Sequence, residues 1–360
     1  MKHLSAMKIH SNFTGGNIVF DRIDGDTVYL ERDIRDTEGD WFYWAFCVEG
    51  AAGRTLTFVF PSKHRVGRFG AAVSHDLVNW HWSESGEGTT FSYTFAEEEN
   101  KVYFAHNMLY HPSHWDDFCS RMGLKQENFC KSVKGRDLPA VRFGEGEKYI
   151  LLTARHHACE ATGSYVMEGV IETLCAHLPE GYAVLAVPFV DYDGVVDGDQ
   201  GKNRRPHDHN RDYTDAPIYE VTENMQAFGR AHDLRYTFDF HSPWHMGKQN
   251  DYVFFSRSTE AMNPQVDRFG DWMKEETANT EMRYTGEWDV GPNELWNNET
   301  SPNSKNYFSR QPTVRLSITM ETHYFGMADG TGKISQASMR DLGRAFSRCV
   351  VRCIAENDKR

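Results

Sequence analysis

Lys148-Tyr149-Ile150-Leu151-Leu152-Thr153-Ala154 runs directly into Arg155-His156-His157-Ala158-Cys159-Glu160. The first seven residues are almost continuously apolar, the pattern of a strand covered on both faces. The next six switch abruptly to ionisable groups. Downstream, residues 161–176 carry Met167, Val170, Ile171 and Leu174 at helical spacing. Residues 183–190 (AVLAVPFV) form a second buried strand, 235–240 (RYTFDF) a third and 314–320 (VRLSITM) a fourth. Between them, residues 215–231 have a helical pattern, with Thr214 or Asp215 as its N-cap. Residues 336–356 close the chain as a helix, with Leu342, Phe346, Cys349, Val350 and Cys353 on one stripe. Alternating strands and helices predict an α/β fold with a mainly parallel mixed sheet flanked by helices. In such sheets ligands bind beyond the C-terminal ends of the strands.

The region upstream differs. DTVYLERD, GDWFYWAFCVEG, RTLTFVFPS, TTFSYTF and KVYFAHN are short aromatic and β-branched runs separated by turn residues. They predict an all-β antiparallel sandwich over residues 1–110, preceding the α/β domain of residues 111–360. The chain of 360 residues is long enough for two domains, and 23 Phe, 16 Tyr and 9 Trp provide ample core. A formal charge of -13 makes nucleic acid a poor partner. No run of about 18 or more apolar residues exists to cross a membrane, and the N-terminus lacks the apolar core of a signal peptide. The seven cysteines are scattered, odd in number and without a Cys-x-x-Cys pair. Reduced thiols in a cytoplasmic protein are the expectation. The oligomeric state is left open.

Polar residues at four strand ends carry the chemistry. His156 or His157 with Glu160 could ligate one metal ion, and zinc with two His, one Glu and an open position is a hydrolytic arrangement. His241 follows the third strand directly. Glu321 ends the fourth, where a carboxylate is costly unless it is paired or working. After the second strand, Lys202, Arg204, Arg205 and Arg211 fall within ten residues, a basic patch suited to a carboxylate or phosphate.

The order of these motifs resembles the zinc metallocarboxypeptidases of peptidase family M14. Ala154-Arg155-His156-His157-Ala158-Cys159-Glu160 resembles the family's Ala-Arg-x-His-x-x-Glu zinc motif. Asp208-His209-Asn210-Arg211-Asp212-Tyr213 is similar to its Asp-x-Asn-Arg-Asn-Phe/Tyr motif, and Lys202-Asn203-Arg204 to its Lys-x-Arg segment, with altered spacing. The N-terminal stretches Trp41-Phe42-Tyr43-Trp44 and Val102-Tyr103-Phe104-Ala105 are similar to the β-sandwich that precedes the peptidase domain in cytosolic carboxypeptidases.

The resemblance implies one zinc ion held by His157, Glu160 and His241, with His156 the competing choice for the first ligand. It implies Asp208 as the carboxylate behind the first histidine, and Asn210 and Arg211 as the grip on a substrate's terminal carboxylate. It implies Arg204, or Arg205, as the cation polarising the scissile carbonyl, and Glu321 as general base toward an activated water. The substrate is then the C-terminus of a peptide or protein. Lys305 and Arg310, within the pocket-wall segment 291–311, lead to an expected preference for C-terminal Glu or Asp. Between Glu287 and Asn306 there is no tyrosine to close over the substrate; Tyr307 is the nearest and Tyr324 follows Glu321. A zinc amidase or deacylase acting on N-acyl amino acids or cell-wall peptides, and a non-catalytic peptide-binding protein, are the alternative readings.

Overall fold

The structure, a computed structural model, describes residues 7–328 and 330–358. Its central sheet has seven strands in the order Gln126–Lys131, Asp137–Phe143, Tyr182–Val187, Lys148–Ala154, Asp233–His241, Leu316–Glu321, Phe254–Arg257. The four inner strands are mutually parallel. The outer three join antiparallel, so the sheet is mixed around a parallel centre. The reason is physical. Only the inner strands are covered on both faces and so read as apolar runs. Gln126–Lys131 (QENFCK) is a largely exposed edge strand whose composition carries no strand signal.

The helices Thr162–His177 and Gln336–Asn357 cross closely, because Gly169 and Gly343 carry no side chain there. A Cβ on Gly169 would lie 2.0 Å from Arg340 O, and one on Gly343 2.1 Å from Val166 O. The helix expected from residue 215 begins instead at Glu220. The Asp212 carboxylate accepts Ile218 N–H at 2.8 Å and Tyr219 N–H at 3.0 Å, which holds the intervening segment as a loop.

Residues 8–105 form two further sheets. One orders Lys8–His10, Ala45–Glu49, Lys101–Ala105, Ala72–Ser74 and His81–Trp82; the other orders Val19–Asp24, Thr27–Glu31, Thr55–Val59 and Thr90–Thr94. Val28, Leu30, Trp44, Phe46, Phe58, Phe91 and Phe104 share one core. Thr27–Glu31 and Thr55–Val59 pair in parallel, a departure from the all-antiparallel expectation. The chain passes through the other sheet between them, and such a crossover permits a parallel partner.

These sheets are tied to the loop that follows Tyr182–Val187. Asn17 Nδ2 donates to Gly198 O at 2.7 Å. Tyr43 and Gln200 exchange two hydrogen bonds, of 2.9 and 2.8 Å. Both Asp36 oxygens accept backbone N–H groups, from Gln200 at 3.0 Å and Gly201 at 2.9 Å. The N-terminal sheets therefore help to shape the loop that carries Lys202.

Candidate active site

At the end of Lys148–Ala154 the chain reverses through Arg155, whose φ is 61°. Its buried guanidinium donates to Ala158 O and Tyr110 O, both at 2.9 Å, and so over-determines the strained turn. His157 and Glu160 thus lie in a tight turn ahead of the helix Thr162–His177, not in its first turn. His241 ends the neighbouring strand, and the ligand atoms of His157, Glu160 and His241 all fall within 4.8 Å of one another.

The orientation of these rings matters more than their proximity. Both imidazoles turn Nδ1 toward Glu160: His157 Nδ1 is 2.9 Å from Oε1 and His241 Nδ1 is 2.8 Å from Oε2. Both turn Nε2 toward an outer carboxylate, His157 to Asp208 at 3.7 Å and His241 to Asp239 at 2.8 Å. Glu160 is fully buried between the two rings. Two rings backed by carboxylates, with their inner nitrogens converging on one buried carboxylate, suit a divalent cation. The electrostatics agree. Burial lowers both imidazole pKa values, yet Glu160 for His157, and Asp239 with Glu160 for His241, outweigh it and raise them. Asp208 and Asp239 are held below the usual carboxylate range; burial opposes this, and the neighbouring histidines overcome it.

A second grouping, His156 with Asp239 and His241, overlaps the first. Its first member is committed elsewhere. His156 Nδ1 meets Asp239 Oδ1 at 2.9 Å and Nε2 meets Tyr213 Oη at 2.7 Å, so neither nitrogen is free. Asp239 is a supporting residue that the sequence reading missed. Its signal was available: in a strand, residues two apart share a face, which puts Asp239 beside His241. A third grouping, His10, Cys47 and Glu49, lies on the N-terminal sheet. There Asn12 N–H donates to His10 Nδ1 at 3.2 Å, which leaves Nε2 carrying the proton.

Glu321 sits opposite His241 in the parallel register. It is 5% exposed, and its Oε2 has no partner. Burial first, and then Glu160, push its pKa up to about 7 against the pull of His241. His157, Glu160, His241 and Glu321 line a cleft of about 340 Å³ together with Lys202, Asp208, Asn210, Arg211 and Lys305. Arg211 is exposed and donates to Asn210 O at 2.8 Å; no carboxylate among the described residues forms an ion pair with it. Asn210 Oδ1 accepts Ser304 N–H at 3.1 Å. Lys305 is buried, and its ammonium donates to Asn297 Oδ1 at 2.9 Å; burial brings its pKa down to about 8. Arg310 donates instead to Glu299 O, outside the cleft.

The expected carbonyl cation is elsewhere. Arg204 is clasped by three carboxylates, Asp36 at 3.1 Å, Asp191 at 2.7 Å and Asp199 at 2.8 Å, and does not line the cleft. Arg205 points outward and pairs with Glu38. Lys202 takes the inward position, its Nζ 2.6 Å from Glu160 Oε1 and 3.4 Å from Ser242 O. Gly201 brings it there. At φ +76°, a Cβ on Gly201 would lie 2.2 Å from Ala158 N, so only glycine lets this loop close on the His157 turn. Neither tyrosine enters the cleft. Tyr307 accepts a hydrogen bond from Arg230 at 3.0 Å, and Tyr324 is fully buried.

Fold and cleft together define a metallo-carboxypeptidase fold. A metallo-carboxypeptidase from Burkholderia cenocepacia superposes with a TM-score of 0.81 at 19% identity, over 98% of this chain and 100% of that one. One from Pseudomonas aeruginosa, in complex with (2-guanidinoethylmercapto)succinic acid, gives 0.80 at 21%, over 97% and 99%. Among curated relatives, an uncharacterized protein of Zymomonas mobilis is 32% identical over 180 residues, 47% of each chain. Cytosolic carboxypeptidase 1 of Gallus gallus is 24% identical over 209 residues, 48% of this chain and 17% of that protein. The chain thus spans less than half the length of these curated relatives. No family model matches it. No helix among the described residues is long and apolar enough to cross a membrane.

Proposed function

We propose that the chain is a zinc-dependent carboxypeptidase that removes the C-terminal residue from peptides or proteins, with a preference for Glu or Asp. The observation that carries this is the paired inward Nδ1 atoms of His157 and His241 at Glu160, with Glu321 one strand away. A single zinc ion held by these three residues would supply a Lewis acid and a water that ionises near neutral pH. Glu321 takes the water proton on its free Oε2 and returns it to the leaving amine. Asn210 and Arg211 hold the terminal carboxylate, a task suited to an unpaired guanidinium. Lys305, on the cleft floor, faces an acidic side chain. The seven free cysteines favour a reducing compartment such as the cytoplasm. Residues 1–110 are read as a β-sandwich domain and 111–360 as the peptidase domain.

Metal analysis combined with a peptide digest read by mass spectrometry tests the reading. One zinc per chain, single residues lost from C-termini, and faster release of Glu or Asp than of Phe or Lys are expected. Internal cleavage, or faster release of Phe or Lys, would count against it.

Lys202 is assigned the role first expected of Arg204, as the cation facing the oxygen of the scissile carbonyl as negative charge develops there. Lys202→Met should lower kcat by about 10²–10³-fold with a smaller change in KM, and Lys202→Arg should recover part of the loss. Arg204→Met strands three carboxylates and should cost about 3–5 kcal/mol of stability. A greater kcat loss in a stably folded Arg204→Met protein than in Lys202→Met would reverse the assignment.

A further inference from the structure

With no tyrosine among the described residues lining the cleft, its mouth is walled by tryptophans. Trp41, Trp244 and Trp296 all contribute to the same lining. Trp41 comes from the N-terminal region, in the segment leading into strand Ala45–Glu49, not from the α/β half. It is fixed from both sides: its Nε1 donates to Glu38 O at 3.2 Å, and its carbonyl accepts Arg32 Nε at 2.9 Å. Its ring lies 5.3 Å from Trp244, and Phe42 braces both, at 6.2 Å from Trp41 and edge-on at 5.2 Å from Trp244. Both indoles are only half-buried. Partly bare aromatic faces at a cleft mouth mark a place where something apolar binds.

Their position relative to the chemistry identifies the occupant. The Lys202 ammonium lies 4.8 Å over the Trp41 ring and 2.6 Å from Glu160. Lys305 belongs with Arg211 instead: Asn210 Oδ1, beside Arg211, accepts the N–H of Ser304, the neighbour of Lys305, at 3.1 Å. Glu321 lines the same cleft as both lysines. A peptide whose terminal carboxylate sits at Arg211 and whose scissile carbonyl sits at Lys202 must carry its preceding residue toward Trp41 and Trp244.

We propose that Trp41 and Trp244 form a binding subsite for an aromatic side chain on the residue immediately before the cleaved bond, so that the N-terminal region contributes directly to substrate selection. This rests on the carboxypeptidase reading for the direction of the peptide. Two rigid indoles offer an aromatic ring offset or edge-on contacts that glycine cannot make.

The test compares N-acetyl-Phe-Glu with N-acetyl-Gly-Glu. Kinetics are measured on the wild type, Trp41→Ala and Trp41→Tyr. Binding is measured by calorimetry on Glu321→Gln with and without Trp41→Ala, which needs no turnover. The Phe substrate should be favoured about tenfold in kcat/KM, mainly through KM, and should bind about tenfold tighter. Trp41→Ala should bring both ratios close to unity, and Trp41→Tyr should keep most of the preference. Thermal unfolding checks that the variants are folded; if Trp41→Ala is not, Trp244→Ala is measured in its place. Ratios unaltered by these substitutions, or equal binding of the two peptides to Glu321→Gln, would overturn the subsite. Absence of hydrolysis by the wild type, with the Phe preference retained in binding, would instead overturn the carboxypeptidase reading and leave the subsite standing.

Discussion

Glu321→Gln is expected to lower kcat for C-terminal hydrolysis by about 10²–10⁴-fold, with metal content unchanged and KM little affected. The substitution keeps shape and volume but removes the only function a base needs, a lone pair able to take and return a proton. The setting of Glu321 makes this outcome specific. Strand Leu316–Glu321 delivers it in register with His241 on one side and Phe254 on the other, so the amide will occupy the same position. Its Oε2 accepts no hydrogen bond from any described residue, so no structural partner is lost. Burying a carboxylate without a partner is costly, and the glutamine variant should therefore unfold at the same temperature or higher, the usual relation between a strained active-site group and stability. Steady-state kinetics, metal analysis and a thermal melt on one preparation test all three parts. Hydrolysis within a few-fold of wild type would remove Glu321 from the mechanism.

The legibility of this protein in its sequence follows burial and strand geometry. The four inner strands were readable because coverage on both faces demands uninterrupted apolar runs, and polar residues at their ends stood out against that background. The edge strands Gln126–Lys131 and Phe254–Arg257 had no such demand, so the balance of parallel and antiparallel joins stayed hidden. His157, Glu160, His241 and Glu321 were readable as exceptions at strand ends, whereas Asp239 was passed over inside RYTFDF although it shares a face with His241. The basic loop was the least readable part. Lys202, Arg204 and Arg205 are chemically near-equivalent in a linear chain. What separates them is Asp36, distant in sequence, which together with Asp191 and Asp199 draws Arg204 away from the cleft and leaves Lys202 facing inward. Long-range charge pairing of this kind leaves no local pattern.

Acidification to about pH 5 is expected to destabilise the fold severely. Several histidines are buried where a proton is unwelcome, among them His106, His111, His114, His245 and His323, each 9% exposed or less. Burial is the leading cause in every case, and it brings His111, His245 and His323 down to about 3 and His114 to about 4, with His106 well below its ordinary value. His106 and His245 face each other, Nε2 to Nδ1, at 2.8 Å, and Arg65 depresses both while Arg68 depresses His245 and His323. Neither nitrogen of His323 has a partner among the described residues. Because the folded pKa lies below the unfolded value of about 6.5, the unfolded chain binds more protons throughout the window from pH 6.5 down to about 3. The stability attached to these groups is complete above pH 6.5 and is lost as pH falls through that window. At pH 5 each costs about 2 kcal/mol, and together they are on the order of the whole stability of a domain. The raised His157 and His241 have the opposite sign, but their contribution is already complete below pH 6.5 and adds no slope there. The carboxyls of Glu321 and Asp199, raised to about 7 and about 6, gain stability in the same window and offset only part of the histidine loss. Urea midpoints at pH 7.5, 6 and 5 should therefore fall steeply, and His323→Leu should flatten the slope by close to one proton while recovering about 2 kcal/mol at pH 5. A midpoint constant from pH 7.5 to 5 would mean that these imidazoles accept protons in the folded state as readily as in the unfolded chain, and would overturn the prediction.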